Sequence, residues 1–384
     1  MIRSGFNAVY ASVQARLSCA LILLCAALLC GCASDGLVRG RLNYDLRPEP
    51  ERSAVHLPAP PDEPRYRYAG TLLGAPNFVQ DEEEQGPKRI AENVFKWLVG
   101  LFENNEPLLL QRPMHGATSD DGRIYVVDAG RSAVVVFDPN PPPDDDDSKH
   151  GQMLVWEQVA PRVRLGGPVA LAIAWDGEIA VSDVQYGAVL RLNRKGALVG
   201  VVGQGDLKRP AGLAFDRDRG LLYVADAAAH DVKAFDSGGR LVRTIGSAGD
   251  SEGLFNAPTF LSFSGDHLYV SDTLNNRVQV FDAEGRRVSG FGERGVYIGN
   301  FTRPKGVAVD AGIVYVAESY FGYLLAYDDK GKLLLAMKGN GMQDDKFILP
   351  TGVWTDKQGR VYVADMLNAR VVVFQFLGNT TTKE

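Results

Sequence analysis

The sequence predicts an all-β protein arranged as a six-bladed propeller, and three observations carry that prediction. A phrase of two apolar runs around a polar turn occurs six times, the copies settle to a near-constant period, and a spare strand pattern near the start supplies what the last copy lacks. The copies are RIYVVDAGRSAVVVFD (123–138), EIAVSDVQYGAVLRLN (178–193), LLYVADAAAHDVKAFD (221–236), LYVSDTLNNRVQVFD (268–282), IVYVAESYFGYLLAYD (313–328) and RVYVADMLNARVVVFQ (360–375). An acidic residue closes the first run each time: Asp128, Asp183, Asp226, Asp272, Glu318 and Asp365. After the first interval its spacing is 43, 46, 46 and 47 residues, the period of propeller blades when the unit is made of short strands.

Each phrase reads as a hairpin that forms the second and third strands of a blade. A shorter strand introduced by Pro precedes it, as in RPAGLAFD, APTFLSFS, RPKGVAVD and LPTGVWTD. A further strand ending in Gly follows most copies, as in LVGVVGQG, LVRTIGSAG, RVSGFGERG and LLLAMKGNG. Four strands in each of six units make the ring. The last unit stops at VVVFQFLG, while YRYAGTLLGAPNF (66–78) has the fourth-strand pattern. This early strand is expected to complete blade six and pair its open edge.

The motif Pro-x-Gly-Val/Leu-Ala-x-Asp, followed by Tyr-Val-Ala/Ser-Asp-x-x-Asn-x-Arg and an apolar run ending in Phe, resembles the NHL repeat. The resemblance covers residues 66–377 and implies the fold; propellers of this kind host binding proteins and enzymes alike.

Residues 17–31, LSCALILLCAALLCG, form an apolar run behind Arg3 and Arg16, the layout of a secretory signal. The run ends in LLCGC, which resembles the lipobox of bacterial lipoproteins. That resemblance implies removal of residues 1–31 and lipidation of Cys32, and the absence of Asp after Cys32 implies the outer membrane. An uncleaved anchor or an ordinary signal peptide is the alternative. All four cysteines lie within this leader and its end, which excludes a disulfide framework in the folded part. Residues 32–65, Pro-rich and charged, are expected to be a tether, and 378–384 a polar tail. Two insertions stand out. RIAENVFKWLVGLFENNEPLLL (89–110) puts Ile90, Val94, Trp97, Leu98 and Leu101 on one side of a helix near 89–103. This helix is expected to act as a lid, as a docking element, or to pack beside the ring. PNPPPDDDDSKH (139–150) reads as a solvated acidic loop, because calcium loops alternate ligands with turn residues.

The recurring acid can fix the turn that follows it, and an Arg five positions on can pair with it. Both Asn and Arg partners occur in blade four (Asp272, Asn275, Arg277) and blade six (Asp365, Asn368, Arg370). Elsewhere these positions hold other residues and are free to face a ligand. The turn after strand two and the lead-in to strand one share a face. That face is expected to gather Arg112, His115, Arg209, Arg303 and Lys305 from the lead-ins. From the turns it gathers Arg131, Tyr186, His230, Tyr320, Phe321 and Tyr323. Such a set suits an anionic or planar partner; alternatively these residues cap the funnel and pair with the six carboxylates.

Catalysis finds little support. A catalytic zinc generally takes three protein ligands plus water. Of the five histidines, His56 lies in the tether, His150 in the acidic loop and His267 on the far face, which leaves only His115 and His230 for one opening. No Glu, Asn and Asp set of the kind that holds the metal of lactonase propellers stands out. The net charge of −6 argues against nucleic acid. The expected protein is therefore a lipid-anchored binding or scaffolding propeller of the cell envelope, with no catalytic residue, metal or cofactor. It is expected to be a monomer or a subunit of a complex, engaging a protein or glycan partner. The alternative is a metal-dependent hydrolase or lyase of the lactonase or amidating-lyase propeller type.

Overall fold

Six sheets stand around one axis in the computed structural model, each antiparallel and each ordered from the axis outward. The structure describes residues 38–47, 55–59, 61–79, 107–140, 151–337, 339, 341–344 and 346–378. The innermost strands are Pro113–Thr118, Pro168–Ile173, Pro210–Asp216, Pro258–Ser264, Pro304–Asp310 and Pro350–Thr355. Every one begins with Pro, which lacks an N–H and is suited to the first position of an edge strand. The second strands, such as Ile124–Asp128 and Ile179–Asp183, are β-branched and aliphatic and buried on both sides. The buried apolar side chains form six clusters, one at each junction between neighbouring blades.

The ring closes as the sequence predicts. Tyr66–Leu72 pairs with Arg370–Phe376 as the fourth strand of blade six, with Val371 opposite Leu72 and Phe376 opposite Tyr66. Tyr66 also hydrogen-bonds hydroxyl to hydroxyl with Tyr315 of blade five at 2.9 Å, so closure ties blade six to its neighbour as well.

The stretch expected as a tether is partly built into the sheets. Val38–Leu42 adds a strand to the outer edge of blade one, with Arg39 opposite Gln152, and Phe78–Val79 pairs with it in turn. His56–Leu57 adds a strand to Tyr66–Leu72 on blade six. The physical reason is that an outermost strand presents a row of unpaired N–H and C=O groups, which a passing extended segment can satisfy. The leader with Cys32, the helix expected near 89–103, the acidic run of 141–150 and the tail beyond 378 lie outside the described residues. Among the described residues no helix is long and apolar enough to cross a membrane.

Candidate functional site

The six recurring acids are clamps. Each is fully buried. Asp128 accepts N–H bonds from Gln111 and Arg112 before the inner strand and from Gly130 and Arg131 in the turn. Asp183 does the same with Gly166, Gly167, Gln185 and Tyr186. Glu318 holds Thr302, Arg303 and Phe321. One carboxylate thus ties the start of the inner strand to the turn after the second strand, which sets both on one face of the ring, the clamp face. In blades four and six a single amide remains, from Asn256 or Ile348, and side chains take the other places. Arg277 reaches Asp272 at 2.8 Å and Arg370 reaches Asp365 at 2.8 Å, with Asn275 and Asn368 beside them. In blade three Lys233 supplies the charge, at 3.3 Å from Asp226. Burial alone would raise the Asp226 carboxyl, but the Lys208 and Arg209 amides and the Lys233 ammonium outweigh it and hold the group below its usual range.

The axis is plugged. Two residues after the inner-strand Pro stand His115, Ala170, Gly212, Phe260, Gly306 and Gly352. The glycines are there because blades meet closely: a Cβ on Gly306 would lie 2.4 Å from the Thr351 carbonyl oxygen, and one on Gly352 2.6 Å from that of Met114. His115 and Phe260 are the two large residues of the set, and they belong to blades one and four, opposite each other in a ring of six. Their rings stack 5.2 Å apart across the axis, with Trp354 6.0 Å from His115 on the neighbouring blade. Below the stack, on the far face, the channel continues as a cavity of about 250 Å3 lined by inner strands of all six blades, including Leu171, Leu213, Phe215, Phe263 and Trp354.

His115 therefore does not lie on the clamp face as expected from its position near a strand start. It is 7% exposed and its Nδ1 has no hydrogen-bond partner. Burial lowers its pKa to about 4, against a hydrogen bond with the Leu171 backbone. The native imidazole is neutral down to that pH, whereas the unfolded one takes a proton near pH 6.5. Stability is thus expected to fall as pH drops from about 6.5 to about 4, by about 3 kcal/mol in total. Urea unfolding at pH 7 and pH 4.5 checks this, and His115→Phe should remove that share of the acid dependence.

The other expected face residues do gather on the clamp face, in different states. Arg112, Arg209 and Arg303 are exposed, and among the described residues none forms an ion pair. Lys305 is half-buried, and burial followed by the nearby Arg303 charge lowers its pKa. Tyr320 is exposed and packs edge-on against Phe321, which stacks on Tyr323. The Tyr186 hydroxyl donates to the Arg164 carbonyl at 2.7 Å and the Arg131 Nε to that of Leu109 at 2.8 Å. His230 is committed: its Nδ1 accepts the Ala257 N–H at 3.1 Å, bridging blades three and four.

Sequence reasoning placed Tyr320 on this face but missed the other apolar residues exposed there. Leu274, Tyr320 and Leu367 are exposed at the same position, two residues past the clamp, in blades four, five and six. Val296, Tyr297 (79% exposed) and Ile298 extend this set on the loop leading to blade five, and Met342 (75%) on that leading to blade six. The missed signal was a large apolar residue in a turn where blades one to three carry Gly130, Gln185 and Ala228.

Fold and site define a closed six-bladed β-propeller, locked by buried acids and sealed on its axis. Residues 255–281, most of the three inner strands of blade four, match the NHL repeat family, so this six-bladed propeller carries an NHL repeat in that blade. No curated protein matches it in sequence. Among solved structures, a gluconolactonase from Xanthomonas campestris is 16% identical with a TM-score of 0.53, over 86% of this chain and 99% of that one. An auxiliary nutrient binding protein from Bacteroides thetaiotaomicron is 11% identical with a TM-score of 0.53, over 70% and 69%. A catalytically inactive virginiamycin B lyase from Staphylococcus aureus, with quinupristin, is 12% identical with a TM-score of 0.51, over 72% and 97%. At such identities the likeness is one of fold, and it spans binding proteins and enzymes alike.

Proposed function

We propose that the protein is a binding and scaffolding propeller that grips a partner through its clamp face and is held in a bacterial envelope, at the outer membrane, by lipid on Cys32. The observation that carries the reading is the composition of that face. Exposed Leu274, Tyr297, Tyr320, Met342 and Leu367 share it with Arg112, Arg209 and Arg303, which among the described residues form no ion pair. Tyr, Met and Arg are among the residues enriched at the centre of protein interfaces, and several large apolar side chains exposed on one face are unusual on a surface that meets only water. These exposed apolar residues favour a protein partner over a glycan. The acids that line the ring support binding over metal chemistry, since their oxygens are committed to backbone amides and to Arg, Asn, Gln and Lys side chains.

The test replaces Leu274, Tyr320 and Leu367 together with Ser and compares partners captured from envelope extracts. Loss of a partner held by the natural chain is expected, and an unchanged set discards the face. In the same extracts Cys32→Ser should move the protein out of the membrane fraction.

A further inference from the structure

We infer that the far-face end of the central channel is a binding site for a small neutral polyol of monosaccharide size. The cavity there, of about 250 Å3, is lined by inner-strand residues of all six blades, from His115 at its roof to Arg217 at its opening. It exists because the ring position four residues past the inner-strand Pro is small in five blades: Ala117, Ala172, Ala214, Ser262 and Ala308, with Trp354 in the sixth. At about 30 Å3 per water it has the space of about eight waters, which suits a single sugar ring and excludes an oligosaccharide. The His115–Phe260 stack closes it toward the clamp face, so the site is independent of the partner proposed for that face.

Its walls are polar without offering a free charge. Each inner strand pairs only with the second strand of its own blade. The N–H and C=O groups along its other edge therefore turn toward the axis, donors and acceptors together on six sides. Thr118, Ser262 and Thr355 line the same cavity. Thr118 accepts a hydrogen bond from Trp354 Nε1 at 3.3 Å and keeps its own proton to donate. Among the described residues the Ser262 and Thr355 hydroxyls bond to no protein group. Arg217 is the one charged side chain of the described lining, and Asp120 already answers it at 3.5 Å. His115 is neutral above about pH 4. An ion entering would lose its water with no free opposite charge to meet it, and an apolar molecule would leave the strand edges unpaired. A polyol avoids both, since each of its hydroxyls can donate and accept.

Three aromatic side chains complete the lining with flat surfaces for the C–H groups of a sugar ring. Phe215, Phe263 and Trp354 border the cavity, and each packs on a neighbouring ring. Phe215 stands edge-on to Trp175 at 5.5 Å, Phe263 stacks on Tyr223 at 5.5 Å and Trp354 stacks on Tyr362 at 5.2 Å. The walls are thus fixed before a ligand arrives, which lowers the ordering cost of binding. Near the opening Asp120 of blade one meets Arg217 of blade three and, at 2.9 Å, Lys357 of blade six. All three are exposed, and ion pairs of that kind part at little cost.

The experiment titrates the purified full chain with glucose and myo-inositol, by calorimetry and by tryptophan fluorescence. β-Cyclodextrin, a closed circle of glucose units with no free end to enter, is the oversized control. One-to-one binding of glucose or myo-inositol is expected, at least about ten-fold tighter than that of β-cyclodextrin, with a fluorescence change as the surroundings of Trp354 alter. Ser262→Phe puts a large ring at the level where blade six already carries Trp354, and should weaken binding about ten-fold or more. Trp354→Phe should abolish the fluorescence change while the heat of binding persists. Val199→Ser, on the outer strand of blade two, should leave both signals unchanged. Absence of binding by both small polyols, equal binding of β-cyclodextrin, or binding that Ser262→Phe leaves within about two-fold overturns the site. Should Ser262→Phe fail to fold, Trp354→Phe decides: a fluorescence response that survives it puts the polyol elsewhere.

Discussion

A chain lacking residues 1–72 is expected to lose its folded monomeric state. The deletion removes Tyr66–Leu72 and bares the ladder edge of Arg370–Phe376, a template for pairing with other chains. It also removes Tyr66, Tyr68 and Leu72, which are buried at the junctions of blade six with blades five and one. At about 1.5–3 kcal/mol for each large buried side chain, before any ladder hydrogen bond is counted, the loss approaches the whole stability of an ordinary domain, about 5–15 kcal/mol. Size-exclusion chromatography should find oligomers or aggregate, and a peptide of residues 55–79 added in trans should recover some monomer. A truncated chain that melts cooperatively, within a few degrees of the full one, would show that closure is not what couples the blades.

Asp365→Ala is expected to be the most damaging single change on the clamp face. Asp365 is fully buried and Arg370 is 8% exposed. Removal of the carboxylate strands the guanidinium's Nε, the Asn368 amide and the Ile348 N–H. Breaking a buried pair by deleting one partner costs about 3–5 kcal/mol, because the remaining charge is left uncompensated. Urea denaturation measures it. The double change Asp365→Ala with Arg370→Met should recover a large part of the loss, since no charge is then buried; a double variant no better than the single one would place the cost in the orphaned amides.

Much of this was legible because repetition overdetermines it. The acid at the end of every second strand, with Asn275 and Arg277 or Asn368 and Arg370 after it, announced a turn lock, and the structure gives each acid that part. The spare strand at 66–78 announced closure. Single positions were harder to read. His115 looked like a face residue because it follows the lead-in, yet it stands where Gly212, Gly306 and Gly352 stand in other blades, a position that faces the axis. The added strand Val38–Leu42 was hidden by its Pro-rich surroundings, although Val38, Gly40 and Leu42 alternate with Arg39 and Arg41 at the strand period. Which blade edge it would join depends on tertiary pairing, which no local pattern encodes.

The sixth sheet draws its two outer strands, His56–Leu57 and Tyr66–Leu72, from early in the polypeptide and its other three from residues 350–376. On a ribosome, the early segment is threaded out long before the neighbour it must join has been translated. Blades one to five can gather as they emerge, but the circle stays broken until Phe376 is made. A nascent chain stalled short of that residue is an open horseshoe with two raw ends, vulnerable to proteases.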